Sequence, residues 1–261
     1  MGDAACRILV LVAAILAAPL ALVGLASLPP LGAEIPALGA RIAERALEER
    51  ETPNLVAAVV FDYRGFDTLG EQFVLLAAVM GVALLFRDVR GYERKPLTRT
   101  VMTGRDASRS AASAALARFL LPVGIVFGVY VTVHGHLSPG GGFQGGAILA
   151  SAVLAIFLAG GFEPWRRATP PAALDVTKAL AALAYAGIGL LGLLAGGAYL
   201  ENVLPLGARG GLGSAGTIPL LNLASGIGVA AGLVLLAHEF LTEVEPGARA
   251  QEEAEDTRGE R

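Results

Sequence analysis

Four ionisable side chains lead directly into an apolar stretch and are the first candidates for chemistry in this chain. They are Asp62, Arg64, Asp67 and Glu71. A carboxylate at or inside the edge of a bilayer is costly and usually marks a path for ions or protons. Glu71 is the foremost of these ion-path candidates, because Leu69–Phe86 would be about 27 Å long as a helix, barely the thickness of the hydrocarbon. Burial against the apolar segment 54–61 would place the Glu71 carboxylate deeper still.

The same residues also fit a purely structural role. Thr68-Leu69-Gly70-Glu71 matches the S/T-x-x-E capping box, in which Thr68 Oγ1 accepts from the Glu71 amide and the carboxylate reaches back to the Thr68 amide. An acid in the first turn also suits the helix dipole. The residues alone leave both interpretations open.

A glycine-rich turn is the second motif, and it links two apolar stretches. It comprises Pro139, Gly140, Gly141, Gly142, Phe143, Gln144, Gly145 and Gly146. Formally it satisfies G-x-G-x-x-G, but it follows an apolar helix rather than a strand, which argues against a nucleotide site. The proline and the glycines predict a tight reversal with positive φ. Gly142 and Gly146 are spaced for close helix packing.

Weaker polar candidates lie near this turn and inside later apolar stretches. His134 and His136 flank the turn as interfacial hydrogen-bonding residues or proton relays. Lys178 fits a snorkelling lysine or a relay within the membrane. Asn222 is predicted to bond a neighbouring helix. The pair His238-Glu239 is predicted to be the solvated end of the last helix.

The composition places these residues in an integral membrane protein. The chain is 54% hydrophobic and only 16% charged, with a mean hydropathy of +0.62. The single cysteine, Cys6, excludes an intrachain disulfide, and no Cys/His cluster has the spacing of a metal or iron–sulfur site. We expect no cofactor and no metal. A net charge of −3, with basic residues confined to loops, argues against a nucleic-acid partner.

The lengths of the apolar stretches predict an all-α polytopic protein with about six transmembrane helices. The predicted helices cover residues 8–28, 69–86, 113–133, 143–161, 177–200 and 219–241. A secretory signal is the alternative for the first, but its apolar core exceeds the usual signal length. Six alternating spans put 15 Lys and Arg residues on one side and 5 on the other. The positive-inside rule then predicts that both termini are cytoplasmic.

The charge pattern also divides the chain. We expect a two-helix module over 1–90, a basic cytoplasmic linker over 91–112, a four-helix module over 113–241 and a disordered cytoplasmic tail over 242–261. Residues 34–52 are charged, with a partly helical pattern, and predict a surface helix on the outer side.

The motifs resemble known families. His134-Gly135-His136-Leu137-Ser138-Pro139 through Gly146, with Ser214-Ala215-Gly216-Thr217-Ile218-Pro219, resembles the MnhB/MrpB subunit of the Mrp type of multisubunit Na⁺/H⁺ antiporter. Residues 1–90, with the motif from Val60 to Glu71, resemble the C-terminal module of the large MnhA/MrpA antiporter subunit, and the MbhE subunit of membrane-bound hydrogenases. The resemblance implies two modules fused across the basic linker.

The resemblance also implies a function. It predicts a plasma-membrane subunit of a Na⁺/H⁺ exchange complex, whose partners are the other subunits, membrane lipid and the transported Na⁺ and H⁺. Glu71 matches an acid near the ion path, and Asp62 and Asp67 are weaker candidates. We expect a transporter subunit rather than an enzyme. A membrane subunit of a hydrogenase-type redox complex and a purely structural scaffold are the alternatives.

Overall fold

The structure, a computed structural model, describes residues 37–90 and 111–244, together with residues 15, 18, 19 and 22–26. The chain divides into two compact units, Met1–Ile42 and Ala43–Arg261. Residues 15, 18, 19 and 22–26 are helical, and most of the helix predicted over 8–28 lies outside the described residues. The predicted linker and tail also lie largely outside them.

Helices account for the regular secondary structure of the described ranges. They are α1 (Ala37–Arg50), α2 (Leu55–Ala58), a π-helical segment (Val59–Tyr63), α3 (Gly65–Arg90), α4 (Ala111–Val133), α5 (Gly142–Gly160), α6 (Phe162–Ala168), α7 (Pro171–Leu194) and α8 (Ile218–Val244). The charged helix predicted within 34–52 is confirmed as α1.

Within the described residues, five helices are long and apolar enough to cross a membrane, which confirms an all-α polytopic membrane protein. These segments are Gly65–Phe86, Ala111–Val133, Gly142–Gly160, Pro171–Leu194 and Ile218–Thr242. Each has at least the length that a bilayer core requires. The five predicted spans after residue 60 are therefore found.

Two predicted helix boundaries are wrong. α3 begins at Gly65 rather than residue 69, so Glu71 lies in its second turn. α7 covers Pro171–Leu194 rather than 177–200, because Pro171 supplies a preformed first turn and the chain then leaves helical geometry. Gly196 and Leu200 have φ angles of +84° and +65°, and the latter is unusual for a branched side chain.

α8 is the centre of the helix packing. It contacts α3, α4, α5 and α7, and 61% of its apolar window is buried, compared with 17% for α3 and for α4. The backbones of α5 and α8 are in direct contact. A Cβ added to Gly142 would overlap the Asn222 carbonyl oxygen, and a Cβ added to Gly146 would lie 2.6 Å from the Gly226 carbonyl oxygen.

The helix set has two sides. The glycine-turn side is where α3 and α8 begin and where α4 and α7 end, and it carries the loop 195–217. The opposite side carries α6. Phe86 of α3 meets Phe240 of α8 edge-to-face on that opposite side, with ring centroids 5.1 Å apart.

Candidate functional site

The start of α3 differs from the capping box that the sequence suggests. The Thr68 hydroxyl donates to the Val60 carbonyl oxygen at 2.6 Å, across the turn that follows the π-helical segment. Thr68 is already the fourth residue of α3 and therefore cannot be its N-cap. The capping-box prediction is wrong because the π-helical segment ends at Tyr63 and lets the next helix begin four residues earlier.

Asp62 lies at the centre of a partly buried polar group on the glycine-turn side. Its carboxylate forms an ion pair with Arg50, with Nε and Oδ2 separated by 2.8 Å, and its side chain is 8% exposed. The same oxygen accepts a hydrogen bond from Asn202 Nδ2 at 3.0 Å. Asn202 also donates to the Ala215 carbonyl oxygen, so Asp62 is tied to the loop before α8.

Tyr63 belongs to the same group. Its hydroxyl donates to Glu49 Oε2 at 2.6 Å, and the Arg50 guanidinium lies 5.0 Å from the centre of its ring. Burial, assisted by the hydrogen bond to the Glu49 carboxylate, raises the pKa of Tyr63 to about 12. Tyr63 therefore stays protonated, and it serves as a hydrogen-bond donor rather than as a proton donor at neutral pH.

Arg64, Asp67 and Glu71 occupy the outward side of the α3 start. Arg64 Nε donates to Asp67 Oδ2 at 2.6 Å, and both side chains are more than half exposed. Glu71 is four residues after Asp67, hence on the same helix face, and it is exposed. The expectation that the segment 54–61 buries the Glu71 carboxylate is wrong, because the buried face of α3 carries Thr68, Leu69 and Gln72 instead.

The glycine turn is clasped by the chain that precedes α2. Asn54 Nδ2 donates to the carbonyl oxygens of Gly135 and Ser138, at 2.6 and 3.0 Å. Its Oδ1 accepts from the amides of Val56 and Ala57 and so caps α2. The Thr52 hydroxyl also donates to the His136 carbonyl oxygen. The segment that precedes α2 is therefore joined directly to the residues that lead into the glycine turn.

Asn222 of α8 holds the other side of the turn. The Gly142 amide donates to Asn222 Oδ1 at 2.5 Å, and Asn222 Nδ2 donates to the Thr132 carbonyl oxygen at 2.5 Å. Asn222 is completely buried. Gly140 and Gly141 have φ angles of +151° and +149°, which only glycine adopts without strain.

The other residues of the turn differ in their surroundings. Pro139 and Gln144 are exposed, and Phe143 is half-buried. Gly145 packs against α4, where an added Cβ would overlap Thr132 Oγ1. The turn thus presents Pro139 and Gln144 outward while its glycines face the helix set.

The two histidines beside the turn have different environments. His134 stacks on Tyr130, with ring centroids 4.2 Å apart, and its Nδ1 lies 3.2 Å from the Tyr130 carbonyl oxygen. His136 is fully buried, and neither ring nitrogen has a hydrogen-bond partner among the described residues. Burial lowers the pKa of His136, and the nearby backbone of Gly211 and Leu212 opposes that shift.

Lys178 and the pair His238-Glu239 are all buried. The Lys178 side chain is 4% exposed, and its Nζ lies 3.1 Å from Asp175 Oδ1, one turn nearer the start of α7. His238 and Glu239 are 1% and 7% exposed, so the prediction of a solvated helix end is wrong. α8 continues to Val244, and α6 packs against its end: Phe162 approaches the His238 ring, and Thr169 Oγ1 lies 3.1 Å from its Nδ1.

Several polar residues of this region are not among the candidates predicted from the sequence, and three of them differ in how recognisable they were. Asn54 had a recognisable signal, because it precedes an apolar helical run at an N-cap position. Asn202 and Gln72 had none, because one lies in an irregular loop and the other is an isolated amide beside Glu71. Within the described residues, no three His, Cys, Asp or Glu side chains are grouped to hold a metal ion. On α3, the carboxylates of Asp67 and Glu71 are both exposed.

Comparison with known sequences gives this arrangement a family context. Residues 112–235 match the family described as the domain related to the MnhB subunit of Na⁺/H⁺ antiporter. An uncharacterized protein of Methanocaldococcus jannaschii is 34% identical over 69% of this chain and 74% of its own length. The Na⁺/H⁺ antiporter B subunit of Alkalihalophilus pseudofirmus is 37% identical, over 33% of this chain and 60% of its own.

Comparison with solved structures covers more of the chain. A chain of the membrane-bound sulfane sulfur reductase, an archaeal respiratory membrane complex, is 35% identical with a TM-score of 0.65, over 90% of this chain and 97% of its own. The Mrp complex from Dietzia sp. shares the fold, with a TM-score of 0.66 at 23% identity, over 92% of this chain and 26% of the matched one. The chain therefore belongs to the family of membrane proteins that carry the domain related to the MnhB subunit of Na⁺/H⁺ antiporter.

Proposed function

We propose that this protein is a membrane subunit of a multisubunit monovalent cation/proton antiporter-type complex, in which Glu71 contributes to the ion path. The observation that carries the proposal is the exposed position of Glu71 within the apolar span Gly65–Phe86. Relatives that share the antiporter-subunit domain support the class of complex.

The position of Glu71 supports a path shared with another subunit. Glu71 lies about 9 Å along α3 from Gly65, on a face that continues through Val74 and Leu85, both exposed. A carboxylate among such residues costs about 2.5–3.5 kcal/mol at the centre of a bilayer, unless it is protonated, hydrated or paired. A neighbouring subunit that covers this face would supply the water or the pairing group.

Asp67 and Arg64 extend this face towards the membrane surface. Asp67 lies one turn before Glu71, and its pairing with Arg64 places a tethered cation at the mouth of the proposed path. We propose that Asp67 receives the proton or Na⁺ first and that Arg64 sets its affinity. Asp62 is a structural residue in this scheme, because Arg50 and Asn202 already occupy its carboxylate.

The remaining assignments follow from charge and packing. We propose that residues 1–90 and 113–241 are two modules joined by a linker over 91–112, and that the Asn54 clasp couples them. We further propose a plasma-membrane location with both termini cytoplasmic, which puts the glycine-turn side outside. The 15-to-5 distribution of Lys and Arg supports this orientation.

Replacement of Glu71 tests the proposal. The chain would be expressed with its native complex in a host that lacks Na⁺/H⁺ antiporters, as wild type, Glu71→Gln and Glu71→Asp. We expect Glu71→Gln to abolish Na⁺ tolerance and the Na⁺-driven pH change in vesicles, because an amide neither releases a proton nor neutralises a cation. We expect Glu71→Asp to retain part of both, while subunit copurification stays normal.

The matched control is Glu48→Gln, the same chemical change on an exposed residue of α1, outside the five spans. It should be indistinguishable from wild type. Full exchange activity in Glu71→Gln would overturn the ion-path assignment. Loss of copurification together with activity would instead assign Glu71 to subunit assembly.

A redox-driven complex is the second candidate for the parent assembly. The supporting observation is that this chain aligns with 97% of one chain of the archaeal respiratory complex, at higher identity than with the Mrp complex. Gentle purification of the tagged protein distinguishes the two. Copurifying iron–sulfur subunits would favour the redox complex, and antiporter subunits alone would favour the exchanger.

A further inference from the structure

The outward side of α3 carries a row of small residues beside Glu71. Helix geometry places them, together with Glu71, within about a third of the helix circumference. They are Gly70, Val74, Ala77, Ala78 and Gly81, which we call the small-residue face of α3. All are exposed except Gly81, which is half-buried. The other side of α3 packs on α8, where Leu75 lies beside Gly232. The small-residue face is therefore unused by the described part of the chain.

The two glycines of this face have no packing role within the described residues. A Cβ added to Gly70 or Gly81 would meet no described heavy atom within 4 Å, whereas one added to Gly142 would overlap the α8 backbone. Alanine is the better helix former, so a glycine inside a helix is unfavourable unless a close contact needs it. Ala77 and Gly81 are four residues apart, which is the spacing that lets a second spanning helix approach closely. The face therefore has the form of a helix-contact surface.

Glu71 specifies what the second helix must carry. Its carboxylate is exposed about 9 Å along α3 from the first residue of the helix, between Val74 and Leu85 on the same side. Lipid chains offer neither charge nor hydrogen bonds, so they cover a carboxylate only at a large cost. Arg64 is the cation nearest to Glu71 in the sequence, and it is already paired with Asp67. A helix with a lysine or arginine at this depth satisfies both the small-residue face and the carboxylate.

Two other occupants fit this face less well. A second copy of the chain, inserted in the same direction, would bring its own Glu71 to the same depth in a two-fold interface. The two carboxylates would then repel each other. The helix predicted over residues 8–28 contains no Lys, Arg or His, so this segment offers no cation for the pair.

We propose that the small-residue face of α3 is the docking site for a transmembrane helix of a partner subunit, and that this helix carries a lysine or arginine facing Glu71. The inference deepens the proposed function and rests on it for the existence of partner subunits. Close packing holds the two helices together, and the ion pair fixes their relative depth. A Na⁺ or proton that reaches Glu71 displaces the partner's cation, so the contact and the ion path share one carboxylate.

Photocrosslinking in the assembled complex identifies what covers this face. The photoreactive residue p-benzoylphenylalanine replaces Leu85, a large exposed side chain next to the small-residue face, in the full-length chain. Leu183, on the exposed side of α7, is the control position. We expect irradiation of native membranes to join position 85 to a spanning segment of another subunit that contains Lys or Arg. An adduct with lipid only, with a second copy or with residues 8–28 would overturn the proposal, as would the same adduct from position 183.

Gly81→Leu tests the close approach of the two helices. A Cβ at position 81 meets no described atom within 4 Å, so a leucine there leaves the packing of this chain intact and occupies the space of the partner helix. We expect copurification of the crosslinked subunit to fall at least about tenfold. The thermal midpoint of the isolated chain should not change. Gly187→Leu is the matched control, because Gly187 on α7 is equally free of close neighbours, and it should keep both properties. Normal assembly of Gly81→Leu would overturn the docking site.

Charge reversal tests the ion pair. Glu71→Lys should prevent copurification, because it places two cations together, while the thermal midpoint of the isolated chain reports its folding. Replacement of the partner's lysine or arginine by glutamate should restore copurification. Failure of every Lys and Arg of the crosslinked segment to do so would overturn the ion pair. Glu71→Gln should still assemble, because an amide adds no repulsion.

Exchange activity in the same membranes separates this inference from the proposed function. Full activity in Glu71→Gln, with lost assembly in Gly81→Leu, would remove Glu71 from the ion path and leave the docking site standing. Lost activity in Glu71→Gln, with normal assembly in Gly81→Leu, would support the ion path and overturn the docking site.

Discussion

Asn54 and Asn222 show how much of this site depends on single amides. Each uses its carbonyl oxygen to accept from one backbone segment and its NH₂ group to donate to another. Only an amide side chain offers a donor and an acceptor in that fixed geometry. The sequence predicts that Asn222 bonds a neighbouring helix. Its partner segments could not be identified from the sequence, because they lie about 80 to 90 residues away in the chain.

The buried ring of His136 makes the turn sensitive to acid. Because burial lowers its pKa below the ordinary value near 6.5, the unfolded chain binds more protons than the folded one as pH falls through that value. The contribution of neutral His136 to the free energy of unfolding is therefore fully present above about pH 6.5. Below that pH it is lost at up to about 1.4 kcal/mol per pH unit, until the pKa of the folded state is reached. Among the described residues, the charge of His134 acts in the same direction as burial on the pKa of His136.

We expect His136→Gln to flatten the acid side of the stability profile. The measurement is the thermal midpoint in detergent between pH 7.5 and 5.5, followed through the fluorescence of the only tryptophan, Trp165. His134→Gln is the control, because that ring is partly exposed and stacked on Tyr130. An unchanged slope in His136→Gln would show that this histidine does not titrate with folding.

At the scale of helices, the pairing of α5 with α8 depends on glycines that allow the backbones to touch. The spacing of Gly142 and Gly146 suggested a close helix face, and the triple glycine suggested a reversal with positive φ. The start of α3 could not be predicted in the same way. The π-helical segment and the start of α3 are held by tertiary hydrogen bonds. The Thr68 hydroxyl donates to the Val60 carbonyl oxygen, and the hydroxyl of Tyr185, on α7, donates to the Gly65 carbonyl oxygen.

Glycine-to-alanine substitutions in α5 and α7 test whether the α5 glycines are needed for close contact with α8. Gly142→Ala should reduce stability by about 1–3 kcal/mol or prevent folding, because its Cβ would overlap the Asn222 carbonyl oxygen. Gly187→Ala in α7 should be neutral or stabilise by up to about 1 kcal/mol, because nothing lies within 4 Å of its added Cβ. Thermal midpoints and expression levels would measure both. Equal effects would mean that helix propensity, rather than contact with α8, governs these positions.

At the scale of the whole molecule, the segment that precedes α2 is joined to the residues that lead into the glycine turn. The number of spans after residue 60 could be predicted from the sequence, because charge-free length is a strong signal in membrane proteins. The hydrogen bonds from residues 52–54 to residues 135–138, just before the glycine turn, could not be predicted. Such contacts depend on where irregular segments meet, and neither apolar length nor charge counts contain that information.

Asn54→Asp tests these hydrogen bonds without removing the helix cap. The carboxylate can still accept from the Val56 and Ala57 amides, but it cannot donate to the Gly135 and Ser138 carbonyl oxygens. We expect faster amide hydrogen exchange in residues 134–138 while α2 keeps its protection. Asn54→Ala should accelerate exchange in both segments. If residues 134–138 exchange as slowly in Asn54→Asp as in wild type, these two hydrogen bonds do not stabilise the turn.

The central place of α8 affects how the chain is made. α8 is the last of the five spans to leave the ribosome, yet it fills the space between α3, α5 and α7. Until it enters the bilayer, the glycines of α5 and the amide of Gln72 face an open seam. In newly synthesised chains that stop short of residue 218, these glycines and this amide would stay uncovered. We therefore expect membrane proteases to degrade prematurely terminated copies.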